Sequence, residues 1–157
     1  MKYFTISELI KSNTAIERRI WNGASKAQEL ALENLVKKVL DPLREKIGKP
    51  ITVTSGFRCE AVNKSTPGSS KSSQHMKGEA VDIVVAGGPA AIFELGKAVV
   101  ELGAFDQAIF EHVGKDDLLP QWIHVSYAYD GKQRGEIRKN VKGTTVYPLI
   151  SRKDLGL

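Results

Sequence analysis

The chain has 157 residues, of which 41% are hydrophobic and 26% charged, with a formal net charge of +5. Its length suits one domain with a single buried core, and its composition is ordinary for a soluble globular protein. It contains no run of eighteen apolar residues, which excludes a membrane-spanning helix, and its single cysteine, Cys59, excludes both an internal disulfide framework and a multi-thiolate zinc site.

The first residues, Met1 to Glu8, include an acid and no long apolar stretch, so they do not read as a signal peptide. Synthesis in the cytoplasm is expected, with release by another route if the protein acts outside. Thr5 and Glu8 match a capping box and predict a short helix from about Ile6. A second box, Ser25 and Gln28, precedes Leu32, Leu35, Val36, Val39, Leu43 and Ile47, which recur at three- and four-residue steps. That pattern predicts an amphipathic helix of roughly twenty residues, kinked by Pro42 and ended by Gly48. Ile51 to Thr54 is a short β-rich run, Glu60 to Lys64 one helical turn, and Thr66 to Ser73 a loop rich in Ser, Gly and Pro. Ala80 to Val85 is a buried strand, Pro89 to Leu102 a helix, and Gln107 to Phe110 and Trp122 to Tyr127 are two more strands. The tail beyond residue 130 is polar. This order predicts one α+β domain over residues 1–157, with an antiparallel or mixed sheet and helices on one side.

A net positive charge favours anionic partners such as nucleic acid, acidic wall polymers or a membrane surface. The stretch from Lys132 to Lys142 is the densest, with five basic residues and one acid, and is expected to be solvated surface. Aromatic residues are few and do not alternate with basic ones, so no nucleic-acid partner is expected.

Asp82 stands among β-branched apolar residues, in Ala80-Val81-Asp82-Ile83-Val84-Val85. A carboxylate there loses hydration and needs a partner: a metal ion, a buried arginine or a nearby loop. His75 precedes it by seven residues, and Gly78 between them permits a tight turn that lets both side chains converge. In Trp122-Ile123-His124-Val125-Ser126-Tyr127, alternation puts Trp122, His124 and Ser126 on one face. Two histidines and a carboxylate form a three-ligand zinc set with a fourth position for water.

The segment Ser73-Gln74-His75-Met76-Lys77-Gly78-Glu79-Ala80-Val81-Asp82 resembles the S-x-H-x-x-G-x-A-x-D motif of the zinc D-alanyl-D-alanine carboxypeptidase family. That family includes phage endolysin peptidases, and the hedgehog signalling domain shares its core. Upstream, Ser55-Gly56-Phe57-Arg58 resembles the family's S-G-[YF]-R segment, and Asn63 fits the turn that follows. Downstream, Trp122 to Ser126 resembles the segment that holds the last zinc ligand. The resemblance runs from about Ile51 to Tyr127. It implies that His75, Asp82 and His124 bind one zinc ion. It implies too that Arg58 meets substrate and steadies transition-state charge, and that Ser73 sits at the substrate-binding edge.

The chain departs from the family at Gln121, where many members carry an acid three residues before the last ligand. An amide is no general base at neutral pH. Glu111, expected to end the strand from Gln107, is the best substitute. Asp116 and Asp117 in the following loop are weaker candidates, and His112 is assigned to the surface or to the surroundings of the site. The resemblance implies hydrolysis of peptide bonds in peptidoglycan stems or cross-links, as a D-Ala carboxypeptidase or an endolysin-type endopeptidase. A monomer that acts on the wall in phage or prophage lysis is expected. The alternative, favoured by Gln121, is a non-catalytic zinc-containing module that binds cell wall or protein.

Overall fold

The computed structural model describes residues 1–129 and 131–157. Helix α1 (Ile6–Ile10) starts at the expected capping box: the Thr5 hydroxyl accepts from the Glu8 amide, and the Glu8 carboxylate accepts from the Thr5 amide. A short helix that the sequence pattern did not predict, α2 (Asn13–Glu17), follows with Ser12 as its cap. The long amphipathic segment starts at the Ser25–Gln28 box as α3 (Lys26–Leu35), passes through a π-helical stretch (Val36–Leu40) and continues as α4 (Asp41–Ile47). Pro42 cannot donate an amide bond, and the chain absorbs this by widening the turn before it: the Asp41 amide reaches back to the Val36 carbonyl.

The remaining elements are β1 (Thr52–Ser55), α5 (Glu60–Lys64), a 3-10 turn (Gln74–Lys77), β2 (Ala80–Val84), α6 (Gly88–Leu102), β3 (Gln107–Val113), β4 (Trp122–Ser126), β5 (Glu136–Val141) and a last 3-10 turn (Lys153–Leu155). The strands form one mixed sheet in the order β1-β2-β4-β3-β5, in which only the β3–β5 pair is parallel. The α+β class and mixed sheet match the expectation. Among the described residues, no helix is long and apolar enough to cross a membrane.

Two strands differ from the sequence reading. β3 does not end near Phe110 but runs on to Val113, so Glu111 lies inside it. The extension passes through His112, whose φ of 54° falls at an irregularity in the pairing with β5. β5 itself lies in the tail that looked merely polar. Ile137 is its buried apolar residue, while Glu136, Arg138 and Asn140 alternate to the other face, so hydrophobic content is too low to mark it.

Alternation divides the sheet. Val81, Ile83, Ala108, Phe110, Ile123 and Val125 are fully buried and join the helices in one core with Leu32, Leu35, Leu40 and Val99. Burying each of the larger side chains is worth about 1.5–3 kcal/mol. The opposite face carries Asp82, His124 and Ile109 in one row, because Asp82 pairs with His124 and His124 with Ile109.

Gly78 closes the 3-10 turn in the left-handed region at φ 74°, and a Cβ there would lie 2.4 Å from the Gln28 carbonyl oxygen. The turn that brings His75 towards Asp82 therefore requires glycine on both counts. Gly78→Ala should cost about 1–2 kcal/mol from the backbone alone, more with the clash. A lowered midpoint in urea or heat unfolding would show it, and an unchanged midpoint would contradict this account of the turn.

Candidate metal centre

Three side chains meet on the open face of the sheet. His124 Nδ1 lies 3.0 Å from Asp82 Oδ1 and 3.2 Å from His75 Nε2, and His75 Nε2 lies 3.4 Å from Asp82 Oδ1. The ligand-type atoms of all three fall within 4.8 Å of one another. Sheet register aligns Asp82 with His124, and the glycine-closed turn delivers His75 from outside the sheet.

His75 is almost fully buried and held from two sides by the segment after β1. Its Nδ1 lies 2.7 Å from the Gly56 carbonyl oxygen, and its own carbonyl accepts from the Arg58 amide at 3.2 Å. A carbonyl only accepts, so Nδ1 carries the proton, and in the neutral ring Nε2 presents its lone pair to the other two groups. Gly56 is pressed against α1, where a Cβ would meet the Leu9 carbonyl oxygen at 2.1 Å. The conjunction of Ser55-Gly56-Phe57-Arg58 with His75 thus has a structural cause: the first segment orients the imidazole of the second.

The donor set fits a metal ion. A lone pair of neutral His75, a His124 nitrogen and a carboxylate oxygen face one another, an arrangement that favours a cation between them. Two imidazoles and one carboxylate beside an open cleft make up a catalytic zinc donor set. Burial opposes ionisation of Asp82, yet the charge and hydrogen bonds that His75 and His124 supply when protonated outweigh it and hold the carboxyl well below the usual carboxylate range, a part that a bound cation takes over when the rings are neutral.

The three residues lie in a cleft of about 680 Å³, which Arg58, Ser73, Glu111, His112 and Trp122 also line. Glu111 is buried, and among the described residues its carboxylate receives no hydrogen bond. Burial pushes it up to about 7, with the Asp82 charge adding to the shift and His124 opposing it. In β3 it sits opposite Trp122, two residues from His124 and on the same face. Arg58 has a buried Nε with no hydrogen-bond partner among the described residues. Burial lowers its pKa, against the pull of Asp82.

The other expected residues sort clearly. The Ser73 hydroxyl caps the 3-10 turn by accepting from the His75 amide at 3.3 Å. Asn63 is buried and donates to the Ser70 carbonyl, holding the serine-rich loop. Gln121 is exposed and offers its backbone amide to the Glu111 carbonyl at 2.9 Å. Asp116 and Asp117 are also exposed, and Asp117 ties its own loop by accepting from the Gly114 and Leu119 amides. None of the three lines the cleft. His112 does line it and packs against Trp122 with ring centroids 4.4 Å apart. Sequence reasoning missed the far wall, formed by Arg134, Arg138, Asn140 and Tyr147. It belongs to the polar tail, in which no motif or apolar period stands out.

The fold and the convergent histidine–aspartate–histidine cluster are those of a metal-dependent peptidase core. The Peptidase M15 family model matches residues 2–126, and the chain belongs to this family, whose members are zinc-dependent. Membership points to a metallopeptidase. None of the curated proteins compared with the chain matches it.

Purified protein should carry about one zinc per chain, since one three-ligand cluster lies among the described residues. His75→Ala, Asp82→Ala and His124→Ala should each remove most of it, and chelation should lower the melting temperature of the wild type. Full zinc occupancy in all three variants, measured by elemental analysis, would overturn the assignment.

Proposed function

We propose that the chain is a zinc peptidase that hydrolyses peptide bonds in the stems or cross-links of peptidoglycan, as a monomer formed by one peptidase domain and acting on the wall after release from the cell. The observation that carries the reading is the placement of Glu111 and Arg58 in the same cleft as His75, Asp82 and His124. Zinc at such a site supplies Lewis acidity and lowers the pKa of water towards neutrality.

The chain's own groups would do the rest. Glu111 takes a proton from the attacking water and returns one to the leaving amine, a task that suits a carboxyl poised near neutral pH. Arg58 keeps a guanidinium donor free in a partly desolvated place, where its planar fork suits a substrate carboxylate or a developing oxyanion. Ser73 orders the turn at the cleft edge, and its hydroxyl retains a proton to donate to bound peptide. The wall as substrate is supported by the motif resemblance and by the net charge of +5, which suits an anionic polymer. The competing reading, a wall-binding module, rests on the amide at Gln121. Glu111 answers it by bringing an acid to the cleft from the neighbouring strand.

Glu111→Gln should lower turnover on purified peptidoglycan by about a hundredfold to ten-thousandfold, with zinc retained. In the wild type the rate should rise with pH through an acid limb that the variant lacks. The limb should lie between the ordinary glutamate value, about 4.3, and the raised value of about 7, because bound zinc draws the carboxyl down. The stability effect has the opposite sign. A carboxyl raised by folding stabilises the fold below its unfolded pKa and loses that contribution as pH rises through about 7. Metal-free Glu111→Gln should therefore be more stable than metal-free wild type at pH 8. Wild-type turnover together with unchanged stability would remove Glu111 from the mechanism.

Arg58→Lys keeps the charge and loses the fork, and should sharply reduce kcat/KM with zinc content intact. Unchanged kinetics on wall-derived peptides would exclude Arg58 from substrate handling.

A further inference from the structure

The far wall of the cleft lies outside the residues that the family model matches, which end at Ser126. Beyond β5 the chain folds back on itself as an arm, residues 142–149, and is tied down along its length. Asn140, buried in β5, donates to the Thr144 and Val146 carbonyls, each at 3.1 Å. Arg138 Nη1 donates to the Tyr147 carbonyl at 2.6 Å. The Lys139 amide donates to the Pro148 carbonyl at 3.1 Å, and the Ile150 amide to the Ile137 carbonyl at 2.9 Å.

Core burial does not explain this order. Val146 and Leu149 are 61% and 62% exposed, so the arm hides little apolar surface. What its fixed backbone achieves is the placement of Tyr147, which lines the cleft that also holds Glu111, Asp82 and His124. Among the described residues no group hydrogen-bonds its hydroxyl, which leaves that donor free.

We propose that Tyr147 is a catalytic residue whose phenol donates a hydrogen bond to the scissile carbonyl oxygen of the peptide as that oxygen gains negative charge. The proposal rests on the peptidase reading above. Arg58 follows β1 and Tyr147 sits beyond β5, so the two donors reach the site from opposite edges of the sheet. At neutral pH an ordinary phenol, with a pKa of about 10, carries its proton, and burial, then the charges of Glu111 and Asp82, push this one upward. It acts by hydrogen bonding alone, without transferring the proton, so the water and Glu111 bookkeeping is unchanged.

Tyr147→Phe removes only the hydroxyl from an accessible residue. With purified peptidoglycan as substrate, kcat should fall about tenfold to a hundredfold, with KM within about twofold and zinc content unchanged. Acetohydroxamate, whose anionic oxygen stands in for the developing charge, should bind the zinc-loaded variant about tenfold more weakly by calorimetry. Val146→Ser, a neighbouring exposed change, should alter neither. A variant that cleaves like the wild type overturns the role of Tyr147 and leaves the peptidase reading intact. A loss of kcat with undiminished acetohydroxamate affinity also overturns it, since the hydroxyl would then act on the arm and not on the oxyanion. Zinc-loaded wild type that does not cleave peptidoglycan overturns the peptidase reading, and the catalytic role of Tyr147 with it.

Discussion

The structure is organised around the close approach of three electron-pair donors. His75, Asp82 and His124 bring ligand-type atoms within 4.8 Å of one another on one face of the sheet. Such proximity needs a shared proton or a cation among them, and the surrounding chain enforces it. The pairing of β2 with β4 sets Asp82 against His124. The glycine-closed turn carries His75 in, and the segment from Gly56 to Arg58 locks its ring by one bond to Nδ1 and another to its carbonyl. A buried apolar face on the other side of the same strands supplies the rigidity that keeps these atoms together.

Around that centre the cleft holds polar groups that folding alone does not reward. Glu111 is buried without a hydrogen bond to its carboxylate among the described residues, and Arg58 keeps a buried Nε without a partner. Burial of either group without a partner costs stability as it stands. A fold selected for stability alone would pair or expose both, so their persistence in one cleft is physically coherent with a catalytic role. The contrast with Asp106 is instructive. That carboxylate is also buried, but it is engaged by Arg134 and Gln74, which marks it as a structural tie between the segment leading into β5 and the His75 turn.

Much of this was legible in the sequence, for reasons specific to each element. His75, Gly78 and Asp82 lie within eight residues, so local turn chemistry suffices to bring them together. His124 shows itself by strict alternation in Trp122 to Tyr127. The capping boxes at Thr5 and Ser25 fixed two helix starts because their geometry is local. β5 escaped because its cleft face is charged or amide and its core face offers mainly Ile137. Glu111 was assigned to a strand end because nothing in Glu-His-Val announces the left-handed residue at His112 through which β3 continues. Tyr147 left no trace at all. Its position depends on Asn140 and Arg138 holding the backbone of the arm, and that is a matter of tertiary placement, invisible to any period or motif.

The central claim is that one zinc ion is held by two imidazoles and one carboxylate. X-ray absorption at the zinc edge of the purified protein tests it most directly. The account predicts a first shell of nitrogen and oxygen at about 2.0–2.2 Å, with the outer-shell scattering of two imidazole rings, reduced to one ring in His124→Ala. A sulfur scatterer at about 2.3 Å, or an imidazole signal unaffected by His124→Ala, would contradict it.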